Sequence, residues 1–221
     1  MRDLRTIAVL SGKGGTGKTT LSLNLAVAAQ RRGQMALVAD ADPQRSAALA
    51  LKTRRRPGPG LVETGGPKLM QLRRAAAREG AELLVIDSAP GPEADVVAAA
   101  MAADLCIVVT RPSFLDIATA LSTAEIVRRV GGRGLTVLNQ APSAREGREP
   151  PLVEKAFEAL RFVGLPVCPV VLRARVAFQG AIAHGLGVEE WAPGSAAAGE
   201  VAGLWAYVES MMELEGEARR A

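Results

Sequence analysis

The chain has 221 residues, enough for one α/β domain with a full core, and is 48% hydrophobic but only 3% aromatic. Its 27 Lys and Arg against 23 Asp and Glu give a net charge of +4, which permits an anionic partner without naming one. The single His, His184, excludes a His-based metal cluster, and the isolated Cys106 and Cys168 exclude a C-x-x-C iron–sulfur carrier. No apolar run reaches the ~20 residues of a membrane span, and no signal peptide precedes the first strand pattern, so a cytoplasmic protein is expected.

In chain order, an apolar strand pattern at residues 7–10 leads into a glycine-rich loop and a helix pattern at 18–32. A strand at 35–39 ends in acidic residues; a Pro/Gly/Arg loop at 54–60 and a helix at 67–78 follow. Next come a strand at 83–86, a helix at 93–102, a strand at 105–109, a helix at 115–130 and a strand at 135–138. After a loop at 142–151, a helix spans 152–162, a weaker strand 167–172, and two last helices 175–183 and 195–213. The charged tail, residues 214–221, is expected to fray. The strands are continuously apolar rather than alternating, as for strands covered on both faces. Cys106 and Cys168 lie in such runs and read as buried, inert thiols. The alternation predicts an α/β fold: a doubly wound, mostly parallel sheet with helices on both faces, one domain over 1–221.

The loop Gly12-Lys13-Gly14-Gly15-Thr16-Gly17-Lys18-Thr19 follows a strand and opens a helix, the context of a nucleotide-phosphate loop. Its glycines let backbone amides approach phosphates, and the helix N-terminus favours negative charge. Lys18 is placed for the β- and γ-phosphates and Thr19 for Mg²⁺. Lys13, five residues earlier, cannot occupy the same phosphate position; it is either a solvated charge or a group that reaches the nucleotide of a facing subunit. Asp40 and Asp42, at the end of the second strand, either cap a turn or stand beside the γ-phosphate. Asp87, after the 83–86 strand, is placed to hold Mg²⁺ through water, with Asp40 an additional candidate, and Ser88 to Pro92 to sense the γ-phosphate.

These elements together resemble the ParA/MinD family of P-loop ATPases, whose deviant Walker A motif carries the extra lysine. The resemblance rests on the Lys13–Thr20 loop, on Asp40-Ala-Asp42-Pro-Gln and on Asp87-Ser-Ala-Pro. It continues through Thr110-Arg-Pro-Ser-Phe-Leu-Asp116, Leu138-Asn139-Gln140, Arg175-Val-Ala-Phe-Gln-Gly-Ala and Gly187 to Pro193. It implies an ATPase that binds ATP and Mg²⁺ as a sandwich homodimer, with slow hydrolysis stimulated by a ParB-like or other adaptor protein. Lys13, Lys18 and Asp42 then form the catalytic set: Lys13 contacts the partner subunit's ATP and Asp42 positions the attacking water. ATP binding falls to Gly12, Lys13, Gly14, Gly15, Thr16, Gly17, Lys18, Thr19 and Thr20, with Asn139 on the adenine. The third motif departs from the family's frequent Asp-Thr-Pro-Pro, but Ser88 keeps a hydroxyl. Without a helix-turn-helix extension the chain matches the short, stand-alone form.

Two branches of the family differ in the surface they use. ParA-like members bind nonspecific DNA, and MinD-like members bind membrane through a basic amphipathic C-terminal helix. Here the C-terminal helix is acidic, and Leu204, Val208, Met211 and Met212 read as core positions, against membrane binding. Residues 128–175 are rich in arginine, with Arg173 and Arg175 the leading candidates for DNA phosphates. The expectation is a nucleoid-associated ATPase that segregates a plasmid or chromosome or positions another large cargo. The alternative is a MinD-like membrane-cycling regulator.

Overall fold

Strands β1 (Arg5–Leu10), β2 (Ala36–Asp40), β3 (Gly60–Glu63), β4 (Leu83–Asp87), β5 (Leu105–Thr110) and β6 (Gly134–Leu138) form one sheet in the order β3-β2-β4-β1-β5-β6. Every pairing is parallel, and β1 lies between β4 and β5. The computed structural model describes residues 4–218, with side chains described to residue 213. The expected fraying of the extreme tail lies outside the described residues.

Successive side chains of β1 feed opposite layers. Ile7 and Val9 join Leu21, Leu25 and Trp205 in one core, and Ala8 and Leu10 join Val96, Ile117 and Val153 in the other. Helices α1 (Lys18–Arg31), α2 (Ser46–Lys52), α7 (Val176–Ala183), α8 (Val188–Trp191) and α9 (Ala196–Ala218) cover the first face. Helices α3 (Leu69–Arg78), α4 (Glu93–Ala102), α5 (Phe114–Arg129) and α6 (Pro151–Leu160) cover the second. Each fully buried Leu or Ile in these layers contributes about 1.5–3 kcal/mol.

Helix α1 has no polar stripe over its middle turns, and every residue from Leu21 to Ala29 is buried. It can be buried all round because the sheet covers one side and α8 and α9 cover the other. Its one buried amide, Asn24, is fully used. Nδ2 donates to the Thr20 carbonyl at 2.7 Å, and Oδ1 accepts from the Val188 amide at 2.8 Å. The C-terminal helix is core, as its spacing predicts: Leu204, Val208 and Met212 are buried and Met211 packs against them.

The weak strand expected at 167–172 is not a strand. The segment runs parallel to β6, linked by Cys168 N to Thr136 O at 2.8 Å and Leu172 N to Leu138 O at 3.0 Å. Between those bonds the segment spends four residues, Cys168 to Leu172, where β6 spends two, Thr136 to Leu138, so the register slips and no continuous ladder forms. Helices α2 and α8 and edge strand β3 were not expected. Strand β3 begins at Gly60, within the segment read as loop, and is only half-buried.

Candidate nucleotide-binding site

The loop after β1 folds back over the N-terminus of α1. Gly17 is the N-cap of α1 with φ 92°, a left-handed conformation costly for other residues. It also abuts Asn139: a Cβ on Gly17 would lie 2.3 Å from Asn139 Nδ2. That amide donates to the Thr16 carbonyl at 2.7 Å, and Gln140 Nε2 donates to the Gly15 carbonyl at 2.9 Å. The loop after β6 therefore braces the phosphate loop from the side. Asn139 is brought to the site, but its amide nitrogen serves the loop.

Lys18 is buried, and its Nζ donates to the Lys13 carbonyl at 3.3 Å. Burial lowers its pKa, opposed by the nearby carboxylates of Asp87 and Asp42. Asp87 ends β4 directly across from Asp40 at the end of β2. Burial pushes Asp87 up to about 7; Thr19 and Ser22 hydrogen bonds and the Lys18 charge oppose this, and Asp40 adds to it. Ser22 Oγ donates to Asp87 Oδ1 at 3.2 Å, while Asp87 Oδ2 is buried with no partner. The buried Thr16 hydroxyl is likewise unpartnered. A desolvated carboxylate beside a threonine hydroxyl is an oxygen donor set of the hard kind that suits Mg²⁺, so Thr19 and Asp87 fit that ion.

Asp40 is fully buried, and its two oxygens are already occupied: Oδ1 accepts from the Asp42 amide at 3.2 Å and Oδ2 from the Ala48 amide at 2.9 Å. It caps α2 and fixes the Asp42 turn, so a metal contact would have to be made in addition. Burial raises its pKa, and those two amides oppose the shift. Asp42 Oδ1 accepts from the Gln44 amide at 2.9 Å, which orients its carboxylate beside Lys18. Asp40 thus serves as a cap, and Asp42 lies beside Lys18. The Ser88 hydroxyl is spent on the Val9 carbonyl at 2.8 Å.

Lys13 is 38% exposed, and its Nζ lies 2.8 Å from Asp116 Oδ1. Asp116 is nearly fully buried in the first turn of α5 and also receives Arg111 and Ser113. Burial alone would raise its pKa, but hydrogen bonds from Arg111, Lys13 and Ser113 hold it well below the usual carboxylate range. This cluster was not singled out from sequence. Its signal was the capping pattern Ser113-x-x-Asp116, in which the Ser113 hydroxyl accepts from the Asp116 amide at 3.3 Å.

Beside Gly17 and Thr20 opens a cleft of about 520 Å³, walled by Asn139, Arg175, Phe178 and Ile182. The leading DNA candidates stand at its rim and are not free cations. Arg173 is 10% exposed, with Nη1 and Nη2 on Glu149 at 2.9 and 2.5 Å. Arg175 meets Glu200 Oε1 at 2.8 and 2.5 Å. Arg54, in the Pro/Gly/Arg loop, is 6% exposed and paired to Glu190 at 2.7 Å. The loop before α6 turns sharply at Glu146 (φ 52°) and Gly147 (φ 74°), flanked by exposed Arg145 and Arg148. Neither arginine has an ion-pair partner among the described residues.

The profile of the CobQ/CobB/MinD/ParA nucleotide binding domain matches residues 7–188. The chain belongs to this CobQ/CobB/MinD/ParA family. A curated relative, maintenance of carboxysome distribution protein A from Gloeobacter kilaueensis, is 34% identical over 189 residues, covering 85% of each chain. Two solved structures share the fold. The septum site-determining protein MinD of Pyrococcus horikoshii, complexed with Mg-ADP, has a TM-score of 0.77 at 19% identity over 96% of this chain and 98% of its own. An ATP complex of a McdA variant from Cyanothece has a TM-score of 0.77 at 17% identity over 92% of this chain and 95% of its own. The MinD/ParA nucleotide-binding fold thus accounts for the six parallel strands and for the position of the phosphate loop between β1 and α1.

Proposed function

We propose that this protein is a ParA-like ATPase that binds ATP and Mg²⁺, pairs with a second copy around the nucleotides, and positions a large cargo. The observation that carries this reading is the pair of lysines on one phosphate loop. Lys18 is buried beside Asp42 and Asp87, whereas Lys13 is half-exposed at the rim. A single subunit's phosphates need Lys18; Lys13, held at the rim on Asp116, is the lysine left over for a second copy's nucleotide. Exposed Phe114 and Leu115, 84% and 65% accessible, adjoin Asp116 at that rim and supply apolar surface for a second copy.

The loop amides and Lys18 bind and orient the β- and γ-phosphates. Thr19 and Asp87 hold Mg²⁺, which neutralises charge on the transferring phosphoryl group when bound. Asp42 holds the attacking water in line, its carboxylate steered by the Gln44 amide. The cleft beside Thr20 receives the adenosine, with Phe178 and Ile182 as its apolar wall and Asn139 at its edge.

The relative named for carboxysome distribution supports a large assembly as the cargo; DNA as the track and an adaptor protein as the stimulator are carried over from the family resemblance alone. Arg173 and Arg175 can contribute to DNA binding only by exchanging Glu149 and Glu200 for phosphates. Arg145 and Arg148 stand ready at the neighbouring turn. Core burial of the apolar side of α9 disfavours a membrane-bound cycle.

Asp42→Ala tests the reading. Phosphate release should fall at least about tenfold, a loss of the size expected for a water-positioning group, while ATP-dependent self-association and DNA retention persist. Unchanged phosphate release would remove Asp42 from the mechanism, and a protein that neither binds ATP nor self-associates with it would overturn the proposal.

A further inference from the structure

The carboxylate that holds Lys13 has more cationic partners than it needs. Asp116 is 2% exposed and carries one negative charge, yet it meets both Lys13 and Arg111. Arg111 binds as a fork, with Nε at 2.8 Å from one oxygen and Nη2 at 3.2 Å from the other. The Ser113 hydroxyl adds a bond of 2.7 Å. Lys13 adds a single contact of 2.8 Å from a flexible, 38% exposed side chain. The guanidinium fork is pre-organised for a carboxylate, whereas an ammonium is a mobile point charge.

This inequality has an energetic consequence. Removing the sole partner of a buried carboxylate leaves an uncompensated charge, which is costly. Removing Lys13 from Asp116 does not, because Arg111 and Ser113 remain. The departure of Lys13 therefore sacrifices one half-exposed contact.

We propose that Arg111 and Asp116 form a hand-over device for Lys13: Asp116 stores the lysine at the rim of the phosphate loop, and Arg111 keeps Asp116 paired so that the lysine can leave for the phosphates of a second copy's nucleotide. The proposal rests on the reading of Lys13 as the group that crosses between copies. Arg111 is a positioning residue that acts through Asp116 and touches no nucleotide. Its replacement should bind Lys13 more firmly to Asp116, opposite to the effect of merely loosening the loop.

The test uses the full chain with Mg²⁺ and ATP, with ADP as control, and reads dimer formation by light scattering alongside phosphate release. Arg111→Ala should lower the ATP-dependent dimer constant about tenfold. Asp116→Asn in the Arg111→Ala background should restore it to within about twofold of the parent, because the neutral amide no longer retains Lys13. Asp116→Asn alone should dimerise at least as readily as the parent. A purely structural Arg111 would give a double variant no better than the single one, and that result overturns the proposal, as does an Arg111→Ala protein that dimerises like the parent. If Arg111→Ala does not fold, Arg111→Lys keeps the charge without the fork and should give an intermediate loss; parental dimerisation by that variant overturns the proposal. Lys13→Gln separates the two levels of the argument. If it dimerises normally with ATP, the reading of Lys13 itself fails; if it does not, and the Arg111 and Asp116 variants behave as the parent, only the hand-over fails.

Discussion

Replacing Gly17 with alanine imposes two separable costs. The first is conformational: φ is 92°, and a left-handed residue other than glycine costs about 1–2 kcal/mol. The second is steric: the new methyl would stand 2.3 Å from Asn139 Nδ2, so Asn139 must move and give up its buried 2.7 Å bond to the Thr16 carbonyl. An unpaired buried amide or carbonyl costs about 1–3 kcal/mol. Gly17→Ala should therefore destabilise the protein by about 2–5 kcal/mol in urea unfolding, the sum of those two ranges. In an Asn139→Ala background the second cost is already spent, and the same substitution should cost only about 1–2 kcal/mol. Titration with a fluorescent ATP analogue should show the same ordering, with Kd raised more by Gly17→Ala in the parent than in the Asn139→Ala protein. Equal costs in the two backgrounds would refute the claim that the loop after β6 sets the shape of the phosphate loop.

Arg54→Ala should destabilise by about 3–5 kcal/mol, the usual penalty for orphaning a buried charge, because Glu190 is only 7% exposed. Burial would raise the Glu190 pKa, but Arg54 and the Gly187 amide hold it below its ordinary value. Its contribution is thus complete above the unfolded value near ~4.3 and is lost as pH falls through the folded one; acid melting curves of parent and Arg54→Ala should converge there, and parallel curves would contradict the pairing. Cys106 and Cys168 are buried, with burial pushing their thiols up to about 12 and about 11. Neither should react with an alkylating reagent at pH 8 until the protein is unfolded, as mass spectrometry would show. Lys18→Ala should abolish nucleotide binding by calorimetry; retained affinity would remove Lys18 from the phosphate site.

The doubly wound sheet and the phosphate loop were legible because both are written in local signals: continuous apolar runs, and glycines between a strand and a helix. Strand β3 was hidden because its four residues are half-buried at an edge and follow a Pro/Gly-rich stretch. The 167–172 segment has the apolar composition of a strand, but composition does not record that its register against β6 slips between Cys168 and Leu172. That Lys18, Asp42 and Asp87 gather beside the Lys13 loop was readable because local motifs fix their spacing. Partnerships were not. Arg173 with Glu149, Arg175 with Glu200, and Arg54 with Glu190 join residues 24, 25 and 136 positions apart. Counting arginines could not reveal that these charges were already neutralised.

The two borders of the sheet differ in kind, and together they constrain how copies of this chain can meet. Beyond β6, the chain itself lies against the last strand and takes up its outward hydrogen-bonding groups at Thr136 and Leu138. At the other border β3 is only four residues long, flanked by Lys52 on Glu63 and by Arg45 on the Thr64 carbonyl. Neither border offers the long, flat row of free amides and carbonyls from which strand-by-strand polymers grow. Growth of an open-ended filament through sheet extension is thereby closed off. The pairing proposed above, face to face at the end where the strand-to-helix loops gather, would instead close on itself.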